Sequence, residues 1–214
     1  MNNKQISVIK ELFERYPALS CFEKELNDAL ILLTECYSNG GKLMTCGNGG
    51  SASDSLHITG ELLKGFLLKR PLYPEQKEAF SSIESAPADF ADKLQNGLPC
   101  ISLVAETALL TAYGNDVDSS MGFAQEVFVL GKKGDVLICI STSGNSANVV
   151  NAAITAKAKG IGVIALTGSK ESKLSKLADI CFNVPETETF KVQEYHLPIY
   201  HTLCALAEYQ FFNE

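Results

Sequence analysis

The chain has 214 residues, 46 % hydrophobic and 20 % charged, with 18 Lys and Arg against 25 Asp and Glu and a net charge of −7. That length suits one sizeable core, so 1–214 reads as a single domain, and the negative field argues against nucleic acid as the main ligand. No apolar run approaches the ~18 residues of a membrane span, and the N-terminus lacks the apolar core of an export signal, so no membrane partner and a cytoplasmic location are expected. Seven cysteines form no CxxC pair and sit mostly in apolar runs. They read as reduced core thiols.

In chain order, residues 5–16 have a helical pattern that stops at Pro17. Ser20-Cys21-Phe22-Glu23 matches a capping box, and the helix it opens should end at Asn39-Gly40-Gly41. A strand at 42–46 leads through a glycine-rich turn into a helix over 51–66. Residues 67–98 carry Pro71, Pro74 and Pro87 among polar residues. They read as a surface insertion with short helices near 75–84 and 88–95. A strand at 100–104, a helix at 106–113, a loop at 114–121 and a helix at 122–130 follow. Then come a strand at 135–140, a second small-residue turn, a helix over 146–159 and a strand at 161–167. A short helix at 171–178, a strand at 179–184 and a closing helix over 189–212 complete the chain. Apolar strands alternating with helices predict an α/β, three-layer αβα sandwich around a mostly parallel sheet.

The two turns carry most of the chemical information. The first is Cys46-Gly47-Asn48-Gly49-Gly50-Ser51-Ala52 and the second Ser141-Thr142-Ser143-Gly144-Asn145-Ser146-Ala147. A strand that hands small polar residues to a helix N-terminus builds an anion site, because the first backbone N–H groups lack partners and the dipole there is positive. Two such turns point to a phosphorylated small molecule. The bland alternative is plain helix capping by Ser and Asn, which needs no ligand.

His57 and Glu61 are four apart on the helix leaving the first turn, so they share a face. His57 starts six residues beyond Ser51, about 9 Å at ~1.5 Å per residue. That matches the distance from a sugar's phosphate to its reacting carbons. Burial there would raise the glutamate pKa toward that of a useful base. His196 and His201 on the last helix are roughly 140° apart around the axis and cannot face one site, so His196 reads as structural.

Gly47-Asn48-Gly49-Gly50-Ser51 with Asp54 and His57, the second turn through Asn148, Leu110 to Asp116, and Gln193-Glu194-Tyr195-His196 with His201 resemble the sugar isomerase (SIS) fold, and within it the phosphoheptose isomerases. The second turn alone indicates only a SIS domain; the four-part combination is far more specific. The resemblance implies aldose–ketose interconversion of a seven-carbon sugar phosphate by a cytoplasmic homotetramer with sites at subunit interfaces, zinc in some members, and no nucleotide cofactor. It implies a phosphate cradle of Ser51, Ser141, Ser143 and Ser146, with Asn48, Gly49, Gly50, Thr142, Asp116 and Gln193 as further substrate contacts. Glu61 and His201 become the acid–base pair, in either order, and His57, Glu61, Gln193 and His201 the zinc donors. Asp116 reads equally well as a turn residue.

Three features depart from the family pattern: Pro198 inside the last helix, Phe190-Lys191 ahead of the glutamine, and Lys64-Gly65-Phe66 where similar proteins have Gly-Arg-Phe. Pro198 should kink that helix or delay its start. Lysine cannot copy an arginine fork on sugar or phosphate oxygens. Two alternatives therefore stand beside the phosphoheptose reading: an isomerase of a different phosphosugar, and a non-catalytic SIS module that binds a phosphosugar or a protein partner, as in initiator-associating proteins.

Overall fold

The computed structural model describes residues 1–212. Five strands, β1 (Leu43–Gly47), β2 (Cys100–Ser102), β3 (Val136–Ile140), β4 (Gly162–Thr167) and β5 (Ile180–Asn183), form one wholly parallel sheet in the order β2-β1-β3-β4-β5. The helices are α1 (Asn3–Arg15), α2 (Glu23–Ser38), α3 (Gly50–Leu63), α4 (Pro74–Ser81), α5 (Thr107–Tyr113), α6 (Gly122–Leu130), α7 (Ala147–Ala158), α8 (Lys173–Leu177) and α9 (Thr189–Phe211).

Alternation along the strands sorts the core into two layers, since successive side chains point to opposite faces. Val136, Ile138 and Ile140 of β3 face α1, α2, α3 and α9, where they meet Leu26, Leu33, Ile58 and Leu203. Leu137 and Cys139 face α6, α7 and α8, where they meet Phe123, Val149 and Leu174. The result is the three-layer sandwich expected, with every strand parallel. A buried hydroxyl chain adds polar stitching. Thr45 Oγ1 donates to the Ser55 carbonyl at 3.0 Å, and Ser55 Oγ lies 2.8 Å from Ser102 Oγ, so β1, α3 and β2 are tied at one level.

Several local expectations needed revision. The Ser20–Glu23 capping box does not form. Residues Pro17–Phe22 are a 3-10 turn in which Ser20 donates its hydroxyl to the Pro17 carbonyl, and α2 starts at Glu23 without a side-chain cap. The 88–95 helix reduces to a single turn at Ala91–Lys93. The loop at 114–121 contains a π-helical turn, Gly114–Asp118. Helix α9 runs unbroken from Thr189 to Phe211 with Pro198 buried inside it. His196 is fully buried, and that burial pushes its pKa down to about 4, so the ring is neutral core at physiological pH.

Helix α3 stops at Leu63, not at residue 66, and the cause is a buried ion pair. The Glu208 carboxylate accepts from the backbone N–H groups of Phe66, Leu67 and Leu68 and from Arg70 Nε at 2.7 Å. Amides held there cannot continue the α3 ladder. Arg70 in turn donates through Nη1 to the Leu62 carbonyl at 2.8 Å, so a cation caps the negative end of α3. Both side chains are 0 % exposed. The root of segment 67–98 is thereby clamped to α9 and to the turn of α3 that carries Glu61. Glu208→Ala should leave the arginine buried and unpaired and destabilise the fold by about 3–5 kcal/mol, read as a lower urea midpoint; an unchanged midpoint would show that the pair is not a clamp.

Candidate active site

Strands β1 and β3 are neighbours in space but separated in sequence by β2, so the chain leaves β1 toward one sheet edge and returns to build the other. Ligands in doubly wound sheets bind at such a switch point, beyond the carboxyl ends of the strands. Gly47 pairs with Ile140 in register, so both glycine–serine turns emerge side by side. Between them is a cavity of about 280 Å³ lined by Asn48, Gly49, Gly50, Ser51, Ser141, Thr142 and Ser146, and closed by Thr189 and Gln193 of α9. No lysine or arginine is among its described lining residues.

The turns are arranged to leave donors free. Gly49 holds φ +56°, which favours glycine, and no side chain caps α3. Ser51 is not the cap of this helix but lies inside its first turn, buried at the cavity wall. Ser146 stands at the N-cap position of α7 but makes no capping bond, and its Oγ lies 3.1 Å from Ser141 Oγ. Plain capping therefore does not account for these hydroxyls. Asn48 and Asn148 exchange amide hydrogen bonds at 2.9 and 2.8 Å and lock the two turns together. A Cβ on Gly50 would sit 2.4 Å from Gln193 Nε2, so the glycine makes room for that amide. Two expected contacts lie elsewhere in the chain. Ser143 is exposed and its Oγ accepts from the Asn145 N–H; Asp116 is exposed on the π-turn and accepts from Asn115.

Helices α3 and α9 both begin at the cavity and pack together as they leave it. They carry a second cluster at matching height. His57 Nε2 lies 3.1 Å from Glu61 Oε1, and the His57 and His201 rings meet edge to face at 4.9 Å. The buried Nε2 of His201 has no hydrogen-bond partner. Burial, and next the adjacent His57, lower the His201 pKa, which keeps that imidazole neutral. For Glu61 the expected rise does not occur. Burial pushes its pKa up, but the hydrogen bond and charge of Lys64, whose Nζ is 2.8 Å from Oε2, together with His57, hold it below the ordinary carboxylate value.

Gln193 belongs to the cavity and not to this cluster, about 12 Å of helix away from His201 at ~1.5 Å per residue. Among the described residues, no three His, Cys, Asp or Glu side chains converge as a ready metal site. The cavity lining ends at Gln193, and His201 borders a separate groove of about 360 Å³ between α1 and α9, beside Arg15, Tyr16 and Phe66. Sequence reasoning overlooked Tyr200, which is 1 % exposed and whose hydroxyl lies 3.1 Å from His57 Nδ1 and donates to Asp54 Oδ1 at 3.2 Å. Its only signal is a tyrosine next to His201, with Asp54 one turn ahead of His57. Thr189 at the cavity wall was missed as well.

The paired turns at a parallel-sheet switch point are those of a SIS domain, and that family's pattern matches residues 89–168. The chain is 39 % identical over 179 residues to the phosphoheptose isomerase of Aneurinibacillus thermoaerophilus, covering 84 % of this chain and 78 % of that one. It is 34 % identical over 213 residues to the phosphoheptose isomerase of Glaesserella parasuis, covering 96 % and 97 %. The structure of a phosphoheptose isomerase from Francisella tularensis aligns with a TM-score of 0.75 at 30 % identity, over 98 % of this chain and 100 % of that one. That from Neisseria gonorrhoeae aligns with a TM-score of 0.71 at 32 % identity, over 96 % and 93 %. The chain belongs to the phosphoheptose isomerase family.

If the cavity is the anion site, Gly50→Ala should displace Gln193 and weaken inorganic phosphate binding roughly tenfold, the scale of one lost hydrogen bond, with the far-ultraviolet circular dichroism unchanged. Calorimetric affinity equal to the wild type would move the anion elsewhere.

Proposed function

We propose that this protein interconverts sedoheptulose 7-phosphate and D-glycero-D-manno-heptose 7-phosphate through an enediol. The observation that carries the reading is the Glu61–His57–His201 cluster standing one sugar's length along α3 and α9 from a phosphate-sized cavity. The phosphate is held by the N-terminal amides of α3 and α7 and by the hydroxyls of Ser51, Ser141 and Ser146, with Thr142 and Gln193 directing sugar hydroxyls. Glu61, ionised, takes the proton from C1 of the ketose. The C–H electron pair becomes the C1=C2 bond, and the carbonyl oxygen on C2 takes up a proton. Neutral His201 donates that proton through its ring N–H and accepts the one leaving O1. Return of a proton from Glu61 to C2 then completes the aldose.

The donor types of the cluster suit zinc, and the orphaned Nε2 of His201 wants a partner; His57, Glu61 and His201 would hold the ion once they draw closer together than they stand here, where no three donors converge among the described residues. When bound, it supplies a Lewis acid for the carbonyl and enediolate oxygens. Apolar side chains left exposed on α6 and α7, Phe128, Val129 and Ile154, support assembly as a homotetramer whose neighbouring copies close the cavity and the cluster into one site. All seven cysteines are free, in keeping with the cytoplasm. The pairing of Lys64 with Glu61 keeps an isomerase of another phosphosugar as the second reading, since it puts a cation where the substrate must approach.

Glu61→Gln should lower turnover of sedoheptulose 7-phosphate in heavy water by about 10²- to 10⁴-fold, the range for a lost general base, while phosphate binding survives. Solvent deuterium at the new C–H is the signature. A wild type inert toward this and other phosphosugars would identify a non-catalytic binding module. Elemental analysis of the purified protein should find zinc, and light scattering a mass of four chains; a metal-free active protein or an active monomer would remove those two parts of the reading.

A further inference from the structure

A polar relay lies behind the candidate base and is not needed to explain the reaction above. Asp54, His57 and Glu61 succeed one another along α3, and Tyr200 reaches across from α9. The Tyr200 hydroxyl donates its single proton to Asp54 Oδ1. The same oxygen lies 3.1 Å from His57 Nδ1. With its proton committed to a carboxylate, the phenol can only accept there, so Nδ1 must carry the hydrogen. Nε2 of a neutral ring is then a bare lone pair, and it faces Glu61 Oε1 at 3.1 Å. Two acceptors at that distance repel unless a proton or a cation lies between them.

We infer that Tyr200 is a positioning residue that, through Asp54, fixes His57 as its Nδ1–H tautomer and aims the Nε2 lone pair at Glu61. The assignment deepens the isomerase reading and rests on it for its kinetic consequence alone. Asp54 sets the direction of the relay, because an ionised carboxylate accepts and never donates. His57 keeps one ring orientation against His201, and any proton or cation shared with Glu61 is held at a fixed place. Without the phenol, Nδ1 has no acceptor, and the tautomer with hydrogen on Nε2, donating to the Glu61 carboxylate, becomes the more favourable one. Glu61 would then be tied down as a hydrogen-bond acceptor at the moment it must take a proton from carbon. Orienting partners of this kind are typically worth 10- to 100-fold in activity.

Tyr200→Phe removes one oxygen from a buried ring and leaves its packing in place. The chain has three histidines, so selective ¹⁵N labelling of the imidazoles resolves them by long-range proton–nitrogen correlation. Chelator-treated wild type should show a hydrogen on His57 Nδ1, whether or not Nε2 shares a proton with Glu61, and chelator-treated Tyr200→Phe should show Nδ1 stripped of it in whole or in part, with the hydrogen on Nε2. The zinc-replete variant should lose about 10- to 100-fold in kcat on sedoheptulose 7-phosphate with KM changed less than threefold. An Nδ1–H signal unaltered by the substitution overturns the assignment, even if activity falls, because such a loss would reflect packing. A tautomer switch without loss of kcat overturns the catalytic consequence. Wild type with the expected tautomer but no turnover of any phosphosugar would refute the isomerase reading and leave the relay standing.

Discussion

The in-register pairing of β1 with β3 is the constraint on which the rest of the site depends. Gly47 opposite Ile140 makes both strands end at the same height, so the turns that follow can share one anion. A one-residue slip would exchange the two faces of β3 and stagger the turns. Three forces hold the register: apolar side chains on both faces of β3, the Thr45–Ser55–Ser102 hydroxyl chain, and the paired Asn48 and Asn148 amides. The cavity thus comes from backbone geometry, and an ester dianion can be held by amides and hydroxyls in a protein of net charge −7.

The second half of the site depends on two helices that leave the cavity together. α3 supplies Asp54, His57 and Glu61, and α9 supplies Gln193, Tyr200 and His201. Their separation is fixed far from the cavity by Glu208, which gathers the amides after α3 and the Arg70 guanidinium that caps it. A fully buried ion pair is a costly device for stability alone. Here it also ends α3 just beyond Glu61 and puts Lys64 beside the carboxylate. The segment over 67–98 grows from the same anchor, so its root is part of the scaffold of the site even though its helix α4 buries no residue.

Much of this was legible in the chain because its chemistry is local. Apolar runs ending in glycine–serine turns mark the strands and the cavity between the turns, and the four-residue spacing of His57 and Glu61 marks a shared face. What the sequence hides is long-range or competitive. Tyr200 meets residues more than 140 positions away, and no periodicity announces that. The capping box at Ser20 is lost because Pro17 opens a 3-10 turn that takes the serine hydroxyl. Burial at Glu61 was foreseeable, but the outcome turned on Lys64, whose side chain folds back over the last turn of α3. Ser143 shares its motif with Ser141 and Ser146, yet the positive φ of Gly144 turns the chain between them and leaves Ser143 outside the cavity.

The central claim is that backbone amides and hydroxyls at the β1/β3 switch point grip the phosphate, with the reacting carbons lying toward Glu61. A crystal structure of the protein with a non-isomerisable heptitol 7-phosphate tests it most directly. The account places phosphorus between residues 48–51 and 141–146 and runs the polyol along α3. Phosphorus bound instead in the α1/α9 groove beside Arg15, with the switch-point cavity empty, would contradict it.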